Sequence, residues 1–187
     1  REAGAAEVIV VDGGSGDATR AEAADAGASV LTSPPGRAIQ QHLAAAEATG
    51  EVLLFLHADC RLPGDGIEQI VRVLRSPWVV AGAFRQRIDA SGVAYRLLEQ
   101  GNSLRARWCR LPYGDQGLFC RRRTFDQAGG VPLVPLMDDL LLARRLRRLG
   151  RLVLLPGPLS VSARRWQRHG VVGQTLRNWG LLIAERS

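Results

Sequence analysis

Apolar positions come in short uninterrupted runs, each followed by turn residues and then by a stretch of helical spacing. EVIVV (7–11) is such a run; GGSGD turns the chain, and TRAEAADAG reads as a short helix closed at Gly27. SVLT (29–32) predicts a second strand, PPG a turn, and AIQQHLAAAEATG a helix ending at Gly50. Residues 51–57 predict a third strand, and LPGDGIEQIVRVLRS a Pro turn leading into an amphipathic helix. The second half is less regular. VVAGAFRQRID (79–89) predicts a longer strand of mixed polarity, 95–108 a helix, GLFCRR (117–122) a strand, 137–149 a helix and LVLLP a last short strand. GQTLRNWGLLIAE has helical spacing and fits a surface-lying segment. Strands alternating with helices over short connections predict an α/β fold with a mostly parallel central sheet, flanked by helices.

Two of the apolar runs end in an acid. The first delivers Asp12, and VLLFLHAD (52–59) delivers Asp59. In open α/β sheets ligands bind beyond the carboxyl ends of the strands, so carboxylates placed there point to a ribose, a base edge or a metal.

A length of 187 residues suits one domain with a substantial core, and 46% hydrophobic residues exclude wholesale disorder. No run of 18 apolar residues and no signal peptide is visible. Three cysteines without CxxC spacing, Cys60, Cys109 and Cys120, argue against a disulfide framework or structural zinc and point to a reducing cytoplasm. The net charge is +7, and all 25 basic residues are Arg. Without Lys there is no Walker A loop and no Schiff base. Arg suits bidentate phosphate contacts, so the balance fits a nucleotide diphosphate, and equally nucleic acid or an anionic membrane surface.

Each chemical candidate has a plainer reading beside it. Asp12 with Gly13, Gly14 and Ser15 can cradle a nucleoside, or form an Asx turn leaving a strand; GGSG does not fit the dinucleotide fingerprint. Asp59, after Ala58, can hold a divalent cation bridging two phosphates, or cap the turn before LPG. His57 reads better as a packed, hydrogen-bonded side chain than as a ligand. Asp138 and Asp139 suit the positive end of a helix, or one can serve as a general base. Arg164, Arg165 and Trp166 can bind a diphosphate and wall a sugar, or make a basic loop with one aromatic anchor. RRLRR (144–148) reads as the wet face of a helix with Leu142, Leu146 and Leu149 inward. Aromatic platforms are few and no docking motif is present, so no nucleic acid is expected.

The order of these features is more specific than any one of them. VIVVDGGSGD, the GRA helix running into LHAD, GDQG, MDD and SARRW together resemble the family 2 glycosyltransferases of the GT-A fold, over residues 7–166. LTSPPGRA, LHADCRLP, YGDQGLFCRR, PLMDDL and SARRW are similar to a bacterial subgroup labelled as arsenosugar-biosynthesis glycosyltransferases. The family normally begins with a strand ending in a Pro-x-x-Asn-Glu-like element, which is not found here, so an N-terminal truncation is expected. His57 stands where many members have Asp, and His42 where Asn is more common.

The resemblance implies one GT-A-like domain over 1–187, with a nucleotide-binding half about 1–90 and a smaller, less regular acceptor half about 91–187. It implies inverting transfer of a sugar from a nucleotide-diphosphate donor to an acceptor hydroxyl. Asp139 would be the base and Asp138 a supporting acid. Asp12, Gly13, Gly14, Ser15, Arg37, Ala58 and Asp59 would bind the nucleotide, with Asp59 on Mg²⁺ or Mn²⁺. Gly114, Asp115, Gln116 and Gly117, with Arg164, Arg165 and Trp166, would serve the acceptor or diphosphate. A cytoplasmic enzyme, peripheral to the inner membrane face through its C-terminal stretch, fits this picture. The alternatives are a non-catalytic nucleotide-sugar binding module and, with Lys absent, less readily a nucleotidyltransferase.

Overall fold

The computed structural model describes residues 4–169, apart from the side chains of Arg165, Arg168 and His169. The C-terminal stretch GQTLRNWGLLIAE lies outside the described residues. The order of elements is β1 (Ile9–Asp12), α1 (Thr19–Asp25), β2 (Ser29–Thr32), α2 (Arg37–Glu47), β3 (Val52–Phe55), β4 (Cys60–Arg61), α3 (Gly66–Leu74), β5 (Val79–Asp89) and α4 (Val93–Cys109). A single 3₁₀ turn at Gly114–Gln116 follows, then β6 (Leu118–Arg121), α5 (Arg122–Gln127), α6 (Asp138–Leu149), β7 (Arg151–Ser162) and α7 (Arg164–His169).

The protein is α/β, but the sheet is mixed rather than mostly parallel. β1 and β2 pair in parallel as a two-stranded unit, and the other five strands lie in the order β3-β6-β5-β7-β4. β6 runs antiparallel to both β3 and β5, β4 antiparallel to β7, and only β5 and β7 are parallel. Helical crossovers make the early strands look parallel in sequence. β6 instead arrives through the loop after α4 and enters from the opposite end.

Burial explains the mixed polarity of β5. Its first six residues, Val79 to Phe84, are buried on both faces; from Arg85 onward exposed and buried positions alternate, with Gln86 and Ile88 inward. In β6, Leu118 and Cys120 join the core under α2, α5 and α6, whereas Phe119 points to the opposite core under α3. Trp166 of α7 belongs to that second core, with Ile70, Leu74 and Phe84. On α6 the buried apolar positions are Leu140, Leu142, Ala143 and Leu146, while Leu149 is exposed, one turn beyond the packed face.

β7 does not stop at LVLLP. Pro156, Gly157 and Pro158 form a bulge, because Phe84 and Gln86 of β5 pair with Leu155 and Leu159, so that these three residues lie opposite Arg85 alone and two are extra. Gln69 of α3 pins the bulge by accepting from the Gly157 amide at 3.1 Å.

Candidate active site

The acidic strand ends are brought together around the start of α2. Glu7, ahead of β1, accepts from the amides of Thr49 and Gly50 at 2.6 and 2.8 Å, just before β3. Gln40, in the first turn of α2, donates to Val11 O at the far end of β1 at 3.0 Å. α2 therefore runs back along β1, and β1 and β3 set out from the same end. Gly13 suits this approach: a Cβ there would lie 2.8 Å from Gln40 Nε2 and 3.2 Å from Pro35 Cα.

Asp12 is buried in an Asx turn. Its carboxylate accepts from the amides of Gly14 at 3.3 Å and Ser15 at 3.1 Å, with Arg20 Nε 3.7 Å away. Hydrogen bonds from Ser15, then from Gly14, and the nearby Arg20 hold this carboxyl below the usual range.

At the mouth of α2, Arg37 faces the acidic pair that opens α6. Its Nε donates to Asp138 Oδ1 and Oδ2 at 3.0 and 3.1 Å, its Nη2 also holds Asp138, and the same Nη2 lies 3.4 Å from Asp139 Oδ1. The Asp138 side chain is 2% exposed and that of Arg37 is 40%. The turn that aims the pair inward places Met137 in the left-handed region, φ 61°, at a cost of about 1 kcal/mol for a side-chain-bearing residue. Nothing in the sequence marks Met137 for that conformation.

Asp139 is bound from the other side. The Gly114 amide donates to Oδ2 at 2.5 Å and its neighbour's amide, Leu140 N, to Oδ1 at 2.9 Å. Gly114 is wedged between two side chains, since a Cβ would meet His57 Nε2 at 2.8 Å and Asp139 Oδ2 at 2.9 Å. His57 follows β3, so the end of β3 also reaches the mouth of α2. His57 is packed, as expected, but its buried Nε2 has no hydrogen-bond partner among the described residues. Burial pulls the imidazole pKa down, against the raising influence of Asp115, Asp59 and Asp139.

The GDQG segment is built more elaborately than its sequence suggests. Gln116 is fully buried; its Oε1 accepts from Tyr113 N at 2.9 Å and its Nε2 reaches Phe84 O at 3.4 Å. Asp115 Oδ2 accepts from Gln86 Nε2 at 3.1 Å, and Gln86 Oε1 accepts from Asn102 Nδ2 of α4 at 2.9 Å. Arg105 lies 3.2 Å from the centroid of the Tyr113 ring. Sequence reading missed Gln86, Asn102, Arg105 and Tyr113. Gln86 carried one usable signal, a polar residue at an inward position of an alternating strand.

Asp59 is half-buried beside Cys60, whose Sγ is 3.8 Å from Oδ1, and Ala58 is exposed. The Asp59 carbonyl accepts from Ser162 N at 3.0 Å, which brings the start of α7 alongside. Arg164 is exposed there, and its Nε is 3.4 Å from Ser162 Oγ. Trp166 turns away into the core and walls no open site. No three His, Cys, Asp or Glu side chains converge on a common point among the described residues, so the chain holds no metal cage there. Mg²⁺ or Mn²⁺ bound mainly by phosphates and water needs only one or two protein carboxylates, and Asp59 fits that smaller demand.

The mixed sheet and its flanking helices have the GT-A fold of solved glycosyltransferase structures. The chain belongs to glycosyl transferase family 2, whose pattern matches residues 2–133. Among solved structures it is similar to the mannosyltransferase PcManGT from Pyrobaculum calidifontis in complex with GDP-Man and Mn²⁺ (21% identity, TM-score 0.62, covering 83% of this chain and 47% of that one). It is also similar to glucosyl-3-phosphoglycerate synthase from Mycobacterium tuberculosis in complex with Mn²⁺ and UDP-glucose (19% identity, TM-score 0.59, 84% and 58%). A third likeness is to S. aureus TarS 1-349 in complex with UDP-GlcNAc (14% identity, TM-score 0.61, 83% and 49%). The chain spans about half the length of these structures, and at such identities the likeness carries the fold. No curated protein matches it. No described helix is long and apolar enough to cross a membrane.

Proposed function

We propose that this protein transfers a sugar from a nucleotide-diphosphate donor to an acceptor hydroxyl with inversion at the anomeric carbon. The observation that carries the reading is the junction of Asp139, Gly114 and His57, at the same end of the fold as Asp59. In the reaction Asp139 takes the proton of the acceptor hydroxyl. The acceptor oxygen forms a bond to the anomeric carbon as the bond from that carbon to the diphosphate oxygen breaks, and the nucleoside diphosphate leaves with the electron pair. The Arg37 guanidinium and the Gly114 and Leu140 amides contact the Asp139 carboxylate and fix its orientation. Asp138 supports it by fixing Arg37.

A divalent cation, Mg²⁺ or Mn²⁺ held by Asp59, would supply charge neutralisation on the leaving diphosphate. Arg164 and Arg165 would share that charge. Asp12, Gly13, Gly14, Ser15 and Ala58 would contact the nucleoside, within a nucleotide half of about 1–90. The Gly114–Gly117 segment would face the acceptor from the half that follows. The finer likeness to arsenosugar-biosynthesis glycosyltransferases rests on the sequence segments LTSPPGRA, LHADCRLP, YGDQGLFCRR, PLMDDL and SARRW.

The deciding experiment is Asp139→Asn, with a donor screen read by product mass and nucleotide binding followed by calorimetry. Turnover should fall about 10²–10⁴-fold, the usual worth of a general base, while nucleotide affinity stays near that of the parent. Unchanged turnover refutes the base. A second reading, a nucleotide-sugar binding module, is favoured by the three donors that already engage Asp139. It predicts nucleotide-sugar binding without transfer to any acceptor.

A further inference from the structure

α4 packs one face inward through Tyr95, Leu98, Glu99, Asn102 and Ala106. Its opposite face carries exposed apolar residues that no described residue covers. Val93 and Leu97 are 75% and 62% exposed, Leu104 58% and Trp108 78%. The spacing i, i+4, i+11, i+15 places all four in one stripe, about 22 Å long at 1.5 Å per residue. Scattered exposed apolar residues need no explanation, but four aligned on one helix face, the last a tryptophan, do.

The stripe runs into a basic corner. Arg107 and Arg110 flank Trp108 and are exposed. Arg147, in the last turn of α6, donates to Cys109 O at 2.9 Å, so the C-terminal ends of α4 and α6 meet and bring exposed Arg148 to the same corner. No Asp or Glu occurs between Gln100 and Gly114, or between Leu140 and His169. Of these four arginines none forms an ion pair with a described residue.

We infer that the outer face of α4, with the arginine corner it shares with α6, is a docking surface for an anionic lipid bilayer. An interfacial helix buries an apolar face at the headgroup boundary while Arg side chains meet anionic headgroups and Trp sits at the interface. Nucleic acid would use the arginines and leave the aliphatic stripe in water. A second copy meeting this face with its own would offer the same arginines and no acid between Gln100 and Gly114 to match them. The surface lies outside the sugar-transfer site and does not depend on the chemistry proposed there.

The test uses the full chain and sedimentation with vesicles of phosphatidylcholine alone or mixed in equal parts with phosphatidylglycerol. Binding is expected to the mixed vesicles only, and to weaken with added salt as exposed charges are screened. Leu104→Ser with Trp108→Ser, and separately Arg107→Gln with Arg110→Gln, should each lower vesicle affinity about tenfold or more while the melting temperature stays unchanged. Equal binding to both vesicle types, no binding, or variants that bind like the parent overturns the inference. So does self-association in sedimentation velocity that Leu104→Ser with Trp108→Ser abolishes, or oligonucleotide binding that the same pair leaves intact.

Discussion

Arg37 is where the structure changes the meaning of a residue most. Sequence order places it among nucleotide ligands, yet its guanidinium neutralises a carboxylate that has almost no contact with water. Arg37→Met keeps the aliphatic stem and removes the charge. Asp138 then meets no other side chain able to compensate it among the described residues. Breaking a buried ion pair from one side costs about 3–5 kcal/mol. The Arg37 side chain is 40% exposed, so water enters the gap and lowers the cost to about 2–4 kcal/mol. For a chain of this size that lowers the melting temperature by about 5–12 °C. Adding Asp138→Asn removes the stranded charge at constant shape and should restore more than half of the loss. The assay is thermal unfolding by circular dichroism on the parent, both single variants and the double variant. A drop under about 2 °C for Arg37→Met, or a double variant less stable than either single one, refutes the buried-pair reasoning.

Other perturbations read other parts of the molecule. Gly114→Ala places a methyl group against His57 Nε2 and Asp139 Oδ2, and should cost about 1–3 kcal/mol in denaturant unfolding along with most of the transfer activity. Glu7 is held below its usual value of 4.5, first by the Thr49 amide and then by that of Gly50. A lowered folded-state pKa contributes stability that is complete above the unfolded value and is lost as pH falls through the folded one. The parent should therefore exceed Glu7→Gln in unfolding midpoint at pH of about 6, and the gap should narrow as the pH falls below about 4. Burial pushes the thiols of Cys60 and Cys120 up to about 12, that of Cys60 with help from Asp59 and Asp115, whereas Cys109 is exposed. Iodoacetamide at about pH 8 should label Cys109 in the native protein and the other two only after unfolding, as peptide mass mapping would report.

Much of the fold was legible because hydrophobic periodicity is a local property. SVLT at 29–32 and the strand at 79–89 fall at their expected bounds, and the family follows from the order of short segments. The end of β7 was not legible. Two prolines and a glycine ordinarily close a strand, and only the bulge opposite Arg85, pinned by Gln69, lets the chain pair again through Ser162. Trp166 looks like a site aromatic beside two arginines, yet α3 and β5 offer it a core. His57 looks like an ordinary packed histidine, and its unpartnered nitrogen appears only once Gly114 is seated against it.

The sequence by itself determined the local alternation of strand and helix, the carboxylate at the end of β1 and the one just beyond β3, and the purely Arg basicity. Only the tertiary structure decided that β6 enters antiparallel, that Arg37 belongs to Asp138, and that Gln86 and Asn102 orient Asp115. The physical reason is range. Propensity and periodicity act over one or two turns of chain, whereas strand direction and carboxylate partners are chosen among groups dozens of residues apart. The free energy that chooses them comes from covering both faces of one sheet while leaving no buried charge alone.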